Sequence, residues 1–446
     1  MTSNSKKSGV SRREFNKLSA AAVGSLAATS FTGIARASEP EIRVGLVGCG
    51  GRGIGAAVQA LNARANTRLV AVGDVFRRRL DRGFARLTDP EREAAKTGLL
   101  DRVDVPEERK FSGFDNYQKV IDACDVVILA TPPAFRPQHF EAAIAANKHV
   151  FMEKPVATDA PGVRRVLATA EEAKRKELNV VVGLQRRYHE LYTGWIEKIQ
   201  DGAIGDIILS RAYWNSGGVQ NGWLTREDSV SELQYQLANW YWYTWSCGDH
   251  NVEQHIHNID VCNWAKQGYP VRAQGQGGRE VRTDPRYGQI YDHHFVEYEY
   301  DDGSRMLSQC RHMPGTQSSV TEAFHGTKGS APRPGVLLDA KGEYIHRHRE
   351  PEDRRSEYQI EHDVLFDAIA KGEYRFADAE NGALATLTAI MGRMATYSGQ
   401  VIEWDAALNS ETSLVSDFAS WDDEAPVQPD ADGNYPVAVP GVTAPV

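Results

Sequence analysis

Ile42-Arg43-Val44-Gly45-Leu46-Val47-Gly48-Cys49-Gly50-Gly51-Arg52-Gly53 is an apolar run that breaks into glycines and then opens a helical stretch, Gly51 to Asn62. The run reads as a buried strand, and a G-x-G-x-x-G between strand and helix has a physical reason for each glycine. Gly48 permits the tight turn, Gly50 lets the backbone approach a pyrophosphate, and Gly53 lets helix and strand pack closely. Gly51 and Arg52 complete the loop, whose helix N-H groups and dipole suit phosphate. Asp74 closes the next apolar run, Arg68 to Gly73, about 20 residues on, where a carboxylate takes a ribose hydroxyl and repels a 2'-phosphate. The stretch therefore predicts a Rossmann domain that binds NAD. Arg77, Arg78 and Arg79, whose guanidinium groups suit phosphate, leave NADP open.

Outward from this stretch the pattern continues as α/β. Asp125 to Ala130, His149 to Glu153 and Val180 to Leu184 read as further strands, and Tyr117 to Ala123 and Pro137 to Asn147 as helices. Thr131 and Pro132 leave a strand at its carboxyl end, the edge where open α/β sheets bind ligands, and with His139 are expected to line the groove. Leu87 to Lys110 is charged and turn-rich, a surface excursion. After Val180 to Leu184 the texture shifts to long strands, Ile207 to Trp214, Ile290 to Tyr300 and Met306 to Arg311, followed by helices Glu357 to Ala370 and Asn381 to Tyr397. The fold class expected is α/β plus α+β: an N-terminal Rossmann domain (41–186), then a C-terminal domain with a large, mainly antiparallel open sheet (187–400). Residues 401–446, acidic from Trp421 and then rich in Pro, Val and Ala, are expected to be an extended tail, either wrapping a neighbouring subunit or disordered.

Ahead of the strand, Ser11-Arg12-Arg13-Glu14-Phe15-Asn16-Lys17 precedes a weakly apolar stretch and then Ala35-Arg36-Ala37. Paired arginines, a Ser/Thr/Gly-diluted apolar segment and a small-x-small site resemble a twin-arginine export signal cut after Ala37. A spanning helix wants about 20 strongly apolar residues, which this segment does not supply. The expectation is a periplasmic or otherwise extracytoplasmic protein, soluble after processing, whose cargo partner is the twin-arginine machinery. That route carries folded proteins, so nucleotide would load before export and be retained.

With 446 residues, 41% hydrophobic, the chain has ordinary globular composition, and a net charge of −9 argues against nucleic acid or an anionic membrane as partner. Five scattered cysteines without a C-x-x-C pair indicate neither a disulfide framework nor a zinc-thiolate site. A small-molecule partner is favoured, and an open sheet of this length leads us to expect a homo-oligomer, dimer or tetramer.

Asn147-Lys148-His149-Val150-Phe151-Met152-Glu153-Lys154-Pro155 puts a lysine at the carboxyl end of a strand. With the glycine loop, this stretch resembles the Gfo/Idh/MocA family, named for glucose-fructose oxidoreductase and inositol dehydrogenase, over Ile42 to about Gly399. The resemblance implies a dehydrogenase or reductase acting on a CH-OH group of a sugar or polyol, with Lys154 beside the reacting hydroxyl. It also places Glu153, Lys154 and Gln185 by the cofactor, and Arg186 and Tyr188 near the substrate, one of the arginines 186 and 187 facing solvent.

In Gly248-Asp249-His250-Asn251-Val252-Glu253-Gln254-His255-Ile256-His257-Asn258-Ile259-Asp260, Asp249 reads as a helix cap. Glu253 and His257, four apart, fall on one helical face. An imidazole titrates near neutrality, so His257 reads as the acid/base, Lys154 as stabiliser of the alkoxide and Glu253 as a positioning acid. His250 reads as a substrate contact. Trp242, within the aromatic run Asn239 to Trp245, reads either as a sugar platform or as part of a buried cluster or interface. Many histidines crowd this region, but their spacing is not that of a zinc motif, and no metal is expected. Beside the dehydrogenase stand two alternatives: an NAD-dependent glycosidase that transiently oxidises its sugar, and a non-catalytic dinucleotide sensor.

Overall fold

A computed structural model of the chain describes residues 40–92, 97–349 and 354–445; the expected export signal lies outside the described residues. β1 (Ile42–Val47) is buried at every position but Arg43, as its apolar run demands. It is flanked by β2 (Thr67–Asp74), β3 (Lys110–Ser112), β4 (Val126–Leu129), β5 (His149–Met152) and β6 (Val180–Val182), all parallel, in the order β3-β2-β1-β4-β5-β6. This doubly wound order puts a ligand crevice at the carboxyl ends of β1 and β4. The crossovers run through α1 (Gly51–Leu61), α2 (Arg77–Thr88), α3 (Asn116–Ala123), α4 (Arg136–Ala145) and α5 (Ala160–Arg175). Within 87–110 the described residues make 3-10 turns and then start the edge strand β3. The other edge, β6, is finished from far along the chain. Val180 bridges Ala377, its N-H donates to Phe376 O, and Asn179 Oδ1 accepts from the backbone N-H of Arg375 and Phe376.

The second sheet has nine strands in the order β14-β13-β12-β11-β7-β10-β9-β8-β15. They are β7 (Ile207–Ser216), β8 (Arg272–Gly278), β9 (His293–Glu299), β10 (Arg305–His312), β11 (Ser319–Gly326), β12 (Gly329–Arg333), β13 (Val336–Asp339), β14 (Tyr344–Arg347) and β15 (Ile402–Glu403). Only β7 and β10 pair in parallel, so the sheet is mainly antiparallel as expected. One face is covered by helices and carries the buried side chains Ala212, Val296, Tyr298, Met306 and Phe324. The other carries Phe295, which is exposed.

The helices are α6 (Glu190–Gln200), α7 (Glu232–Ala238), α8 (Thr244–Cys247), α9 (His250–Glu253), α10 (Ile256–Lys266), α11 (Glu357–Ala370), α12 (Ala379–Ser398) and α13 (Trp404–Leu408). Almost every residue of α12 is buried, which only a helix at the middle of the molecule allows. No helix among the described residues is long and apolar enough to cross a membrane.

Two expectations are corrected here. The tail is neither a free arm nor without structure: it begins with β15 and α13 and then folds back over its own chain, burying Ala425 and Tyr435. Its aromatic residues supply the apolar surface that composition alone understated. Glu253 and His257 do not share one continuous helix, because α9 ends at Glu253 and α10 begins at Ile256. The Glu253 carbonyl, which an unbroken helix would aim at the His257 N-H, instead accepts from Lys154 Nζ at 2.6 Å.

Candidate active site

The glycine loop has the backbone that its residues predict. Gly48 sits at φ +99°, and a Cβ there would lie 2.6 Å from the Ala130 carbonyl carbon. At Gly53 a Cβ would fall 1.8 Å from Gly48 O, whereas Gly51 faces open space. Helix α1 starts with Gly50 as N-cap and without a side-chain cap, so its first N-H groups stay available to an anion. Asp74 is buried, and its Oδ2 accepts from Cys49 N at 2.9 Å while its Oδ1 accepts from Phe76 N at 3.0 Å. Burial raises its pKa above the usual carboxylate value. The acid is thus held by the loop itself, with its remaining lone pairs free for a ribose.

Above the loop lies a cavity of about 240 Å³. Gly48, Gly50, Gly51, Arg52, Gly53, Asp74, Thr131, Pro132 and His139, all expected from sequence, line it. So does Arg79, one of the three arginines the sequence offered for phosphate, and so do Phe76, Phe114, Asn116 and Phe135, together with Asn221, Leu237 and Trp240 from the second half, which sequence reasoning missed. His139 stacks on Tyr117 at 4.2 Å, and burial, with Arg136 adding to it, drives its pKa down to about 3, so a neutral ring faces the cavity. Capless N-H groups, glycines that no side chain could replace and a ribose-side acid are the donor set a dinucleotide needs.

Arg136 couples this groove to the next turn. Fully buried, it donates through Nη1 to Pro155 O at 2.7 Å and through Nη2 to Thr131 O, tying the carboxyl ends of β4 and β5 together. The Lys154-Pro155 peptide there is cis. Glu153, not itself in the cavity wall, pairs with Arg52, which also reaches Glu361 at 3.3 Å. Glu361 lies fully buried, and burial together with Glu153 pushes its pKa well above the carboxylate range.

Lys154 Nζ meets Glu253 Oε1 at 2.9 Å, with the two side chains only 13% and 14% exposed. Glu253 therefore engages the lysine rather than the histidine. His257 sits close by under the Trp214 ring (6.0 Å), with its Nδ1 buried and without a partner. Burial first, then the charges of Lys154, Arg186 and Arg52, holds its pKa well below 6.5. A neutral imidazole whose tautomer no neighbour fixes is suited to take a proton.

One of the two arginines was expected to face solvent, but both are engaged inward. Arg186 pairs with the fully buried Glu322, which also accepts from Tyr192 OH at 3.1 Å and Asn258 Nδ2 at 2.7 Å. Arg187 forks onto Asp260, both contacts 2.8 Å. Tyr188 donates to Asp378 Oδ2 at 2.5 Å, and Gln185 Nε2 to Tyr358 OH at 3.0 Å. Trp242 is buried, edge-on to Tyr287 at 5.3 Å and bonded to Asn221 O, so the buried-cluster reading of the aromatic run holds for it while Trp240 reaches the cavity.

His250 is also corrected, being fully buried with its Nδ1 2.6 Å from Asp249 Oδ1. Asp249 caps α9 at φ +74° and gathers Tyr291 N at 3.0 Å and Tyr397 OH at 2.5 Å on Oδ2, while His294 Nε2 lies 3.3 Å from Oδ1. Burial works to raise the Asp249 pKa, but His294 and His250 outweigh it and hold it well below the usual value. Asp249, His250 and His294 converge as metal ligands do. The 2.6 Å contact is a hydrogen bond, and it makes the cluster a polar hub beneath α9.

Residues 42–182 match the family described as an oxidoreductase family with an NAD-binding Rossmann fold, Gfo/Idh/MocA. An inositol 2-dehydrogenase of Acidothermus cellulolyticus is 28% identical over 202 residues, 45% of this chain and 53% of the relative. A glycosyl hydrolase family 109 protein of Streptomyces coelicolor is 28% identical over 181 residues, 40% of this chain and 35% of its own length. The first curated relatives are matched over 53% to 65% of their length. Among solved structures, scyllo-inositol dehydrogenase of Lactobacillus casei with bound NAD(H) and scyllo-inositol superposes with a TM-score of 0.59. At 21% identity it covers 82% of this chain and 100% of its own, a likeness of fold.

Proposed function

We propose, from the premise that residues 42–182 belong to the Gfo/Idh/MocA oxidoreductase family, that this protein is an NAD-dependent dehydrogenase or reductase of a CH-OH group on a sugar or polyol. The observation that carries the reading is the Lys154–Glu253 pair at the carboxyl end of β5, set beside a neutral, buried His257. Bound NAD supplies the hydride acceptor, or in its reduced form the donor. His257 takes the proton of the substrate hydroxyl at a ring nitrogen, its low proton affinity in the free enzyme rising as the alkoxide forms beside it. Lys154 turns one N-H toward that oxygen while Glu253 holds the other two, so the cation is aimed rather than free to rotate. Arg186 and Trp214 flank the histidine and limit water around it.

The protein, in this reading, is exported through the twin-arginine signal, holds its nucleotide tightly and associates through the open face of the second sheet that carries the exposed Phe295. The test is to purify the full chain, denature it, identify the released nucleotide, and then screen inositols and aldoses with NAD at 340 nm. Lys154→Met and His257→Ala should each lower turnover on the order of 10²-fold or more; unchanged turnover in both sinks the mechanism. The likeness to a glycosyl hydrolase supports a second reading, a glycosidase that oxidises and re-reduces its sugar. Release of nitrophenol from a nitrophenyl glycoside without net change at 340 nm would select it.

A further inference from the structure

The tail and the aromatic run are not used by the chemistry above, yet together they enclose the nucleotide cavity. Three rings of its wall, Phe76, Phe114 and Phe135, carry a tail ring on their other side. Trp421 lies 4.9 Å from Phe76 and 4.8 Å from Phe114, and Phe418 lies 6.3 Å from Phe114, 6.1 Å from Phe135 and 5.5 Å from Trp245. Phe76 also meets Trp223 edge-on at 5.1 Å, over which Arg78 and the wall residue Arg79 stack.

The tail is tied down on both sides of these rings. Arg164 Nη1 donates to Leu408 O and Ser410 O, both at 2.7 Å, and Leu414 N donates to Asp159 Oδ2 at 2.7 Å, on the carboxylate whose other oxygen caps α5. Beyond the rings, Gln236 Nε2 of α7 donates to Val427 O at 2.7 Å, and Tyr435 OH bonds Glu232 and Tyr243. Helix α7 supplies Leu237 to the cavity roof, so tail, roof and wall form one apolar layer. Asp74, Phe76 and Arg79 mark the end of β2, where a dinucleotide places its adenosine.

We infer that residues 414–421 are a strap forming the outer wall of the adenosine half of the nucleotide site, and that an adenine dinucleotide enters or leaves only when the strap lifts. The inference rests on the NAD reading above and adds the element that controls exchange. Aromatic pairs contribute beyond their buried area, and two tail rings serve three wall rings, so loosening them acts on the exit step more than on the contacts to the phosphates.

The test uses the full-length protein loaded with fluorescent etheno-NAD and chased with excess NAD. Trp421→Ala should release the probe roughly tenfold faster than the native protein, and Trp421→Phe, which keeps a ring, should restore slow release. Arg164→Gln cuts the tail's entry anchor from outside the cavity and should also speed release, so a poorly folding Trp421→Ala does not decide the matter. Equal release rates in the native protein, Trp421→Ala and Arg164→Gln overturn the strap while leaving NAD binding intact. Failure of the native protein to bind etheno-NAD or NAD removes the nucleotide reading and the strap with it.

Discussion

Replacing Lys154 by Met tests the centre of the site through stability and pH together. The Nζ to Oε1 contact of 2.9 Å between side chains 13% and 14% exposed has a Coulomb energy of about 6 kcal/mol at an effective dielectric of about 20. Desolvation of the two ions offsets much of that, and truncating one partner of a buried pair typically costs about 3 to 5 kcal/mol because the other charge is left behind. Lys154→Met should therefore destabilise the protein by about 3 kcal/mol, less a discount for residual exposure. Lys154→Met with Glu253→Gln should recover part of the loss, leaving a coupling energy of about 1.5 kcal/mol or more in urea unfolding of the double-mutant cycle. The same substitution removes the cation that lowers the His257 pKa most, so the acid limb of the kcat/KM profile should move to higher pH. Additivity within about 0.5 kcal/mol, together with an unmoved acid limb, would refute the pairing and its action on His257.

Gly53→Ala should abolish nucleotide binding and soluble expression, since the new Cβ would fall 1.8 Å from backbone, at Gly48 O; a soluble variant that still retains NAD on gel filtration contradicts the packing argument. His362, fully buried against Phe151 at 4.1 Å, has its pKa lowered by burial, and then by Arg52, to about 3. Its folded value lies below the unfolded one, so the stability of holding it neutral is present above about pH 6.5 and is lost as pH falls. His362→Gln should then cost about 2 kcal/mol less at pH 5 than at pH 8 in denaturant melts of the protein, and a pH-independent difference would show that the ring titrates normally.

The nucleotide loop was legible because its constraints are local: a strand, three glycines and an acid stand within one βαβ unit, and every loop residue expected in the cavity wall lies there. The register of Glu253 and His257 misled because helical spacing assumes that each carbonyl meets its own helix, and a lysine about a hundred residues upstream takes the one at Glu253 instead. Arg136 carried a faint signal, standing first in α4 directly before its proline, but its partners Thr131 O and Pro155 O are backbone atoms that no motif marks. Glu322 looks like any charged residue on a strand; only the fold shows it turned inward to meet Arg186, Tyr192 and Asn258. The tail rings packed on the wall were out of reach for the same reason, since the contacts that give Phe418 and Trp421 a role join distant parts of the chain.

The finishing of β6 by residues near 377 sets an order of events during synthesis. Asn179 and Val180 lack their partners until Arg375, Phe376 and Ala377 have left the ribosome, so the first sheet cannot close its edge as an independent early unit. A nascent chain halted after the sixth strand would expose that edge, and parallel pairing over long separations is slow to form and prone to misassociate. Maturation of this protein is in that sense post-translational, with nearly the whole polypeptide required before its first half is complete.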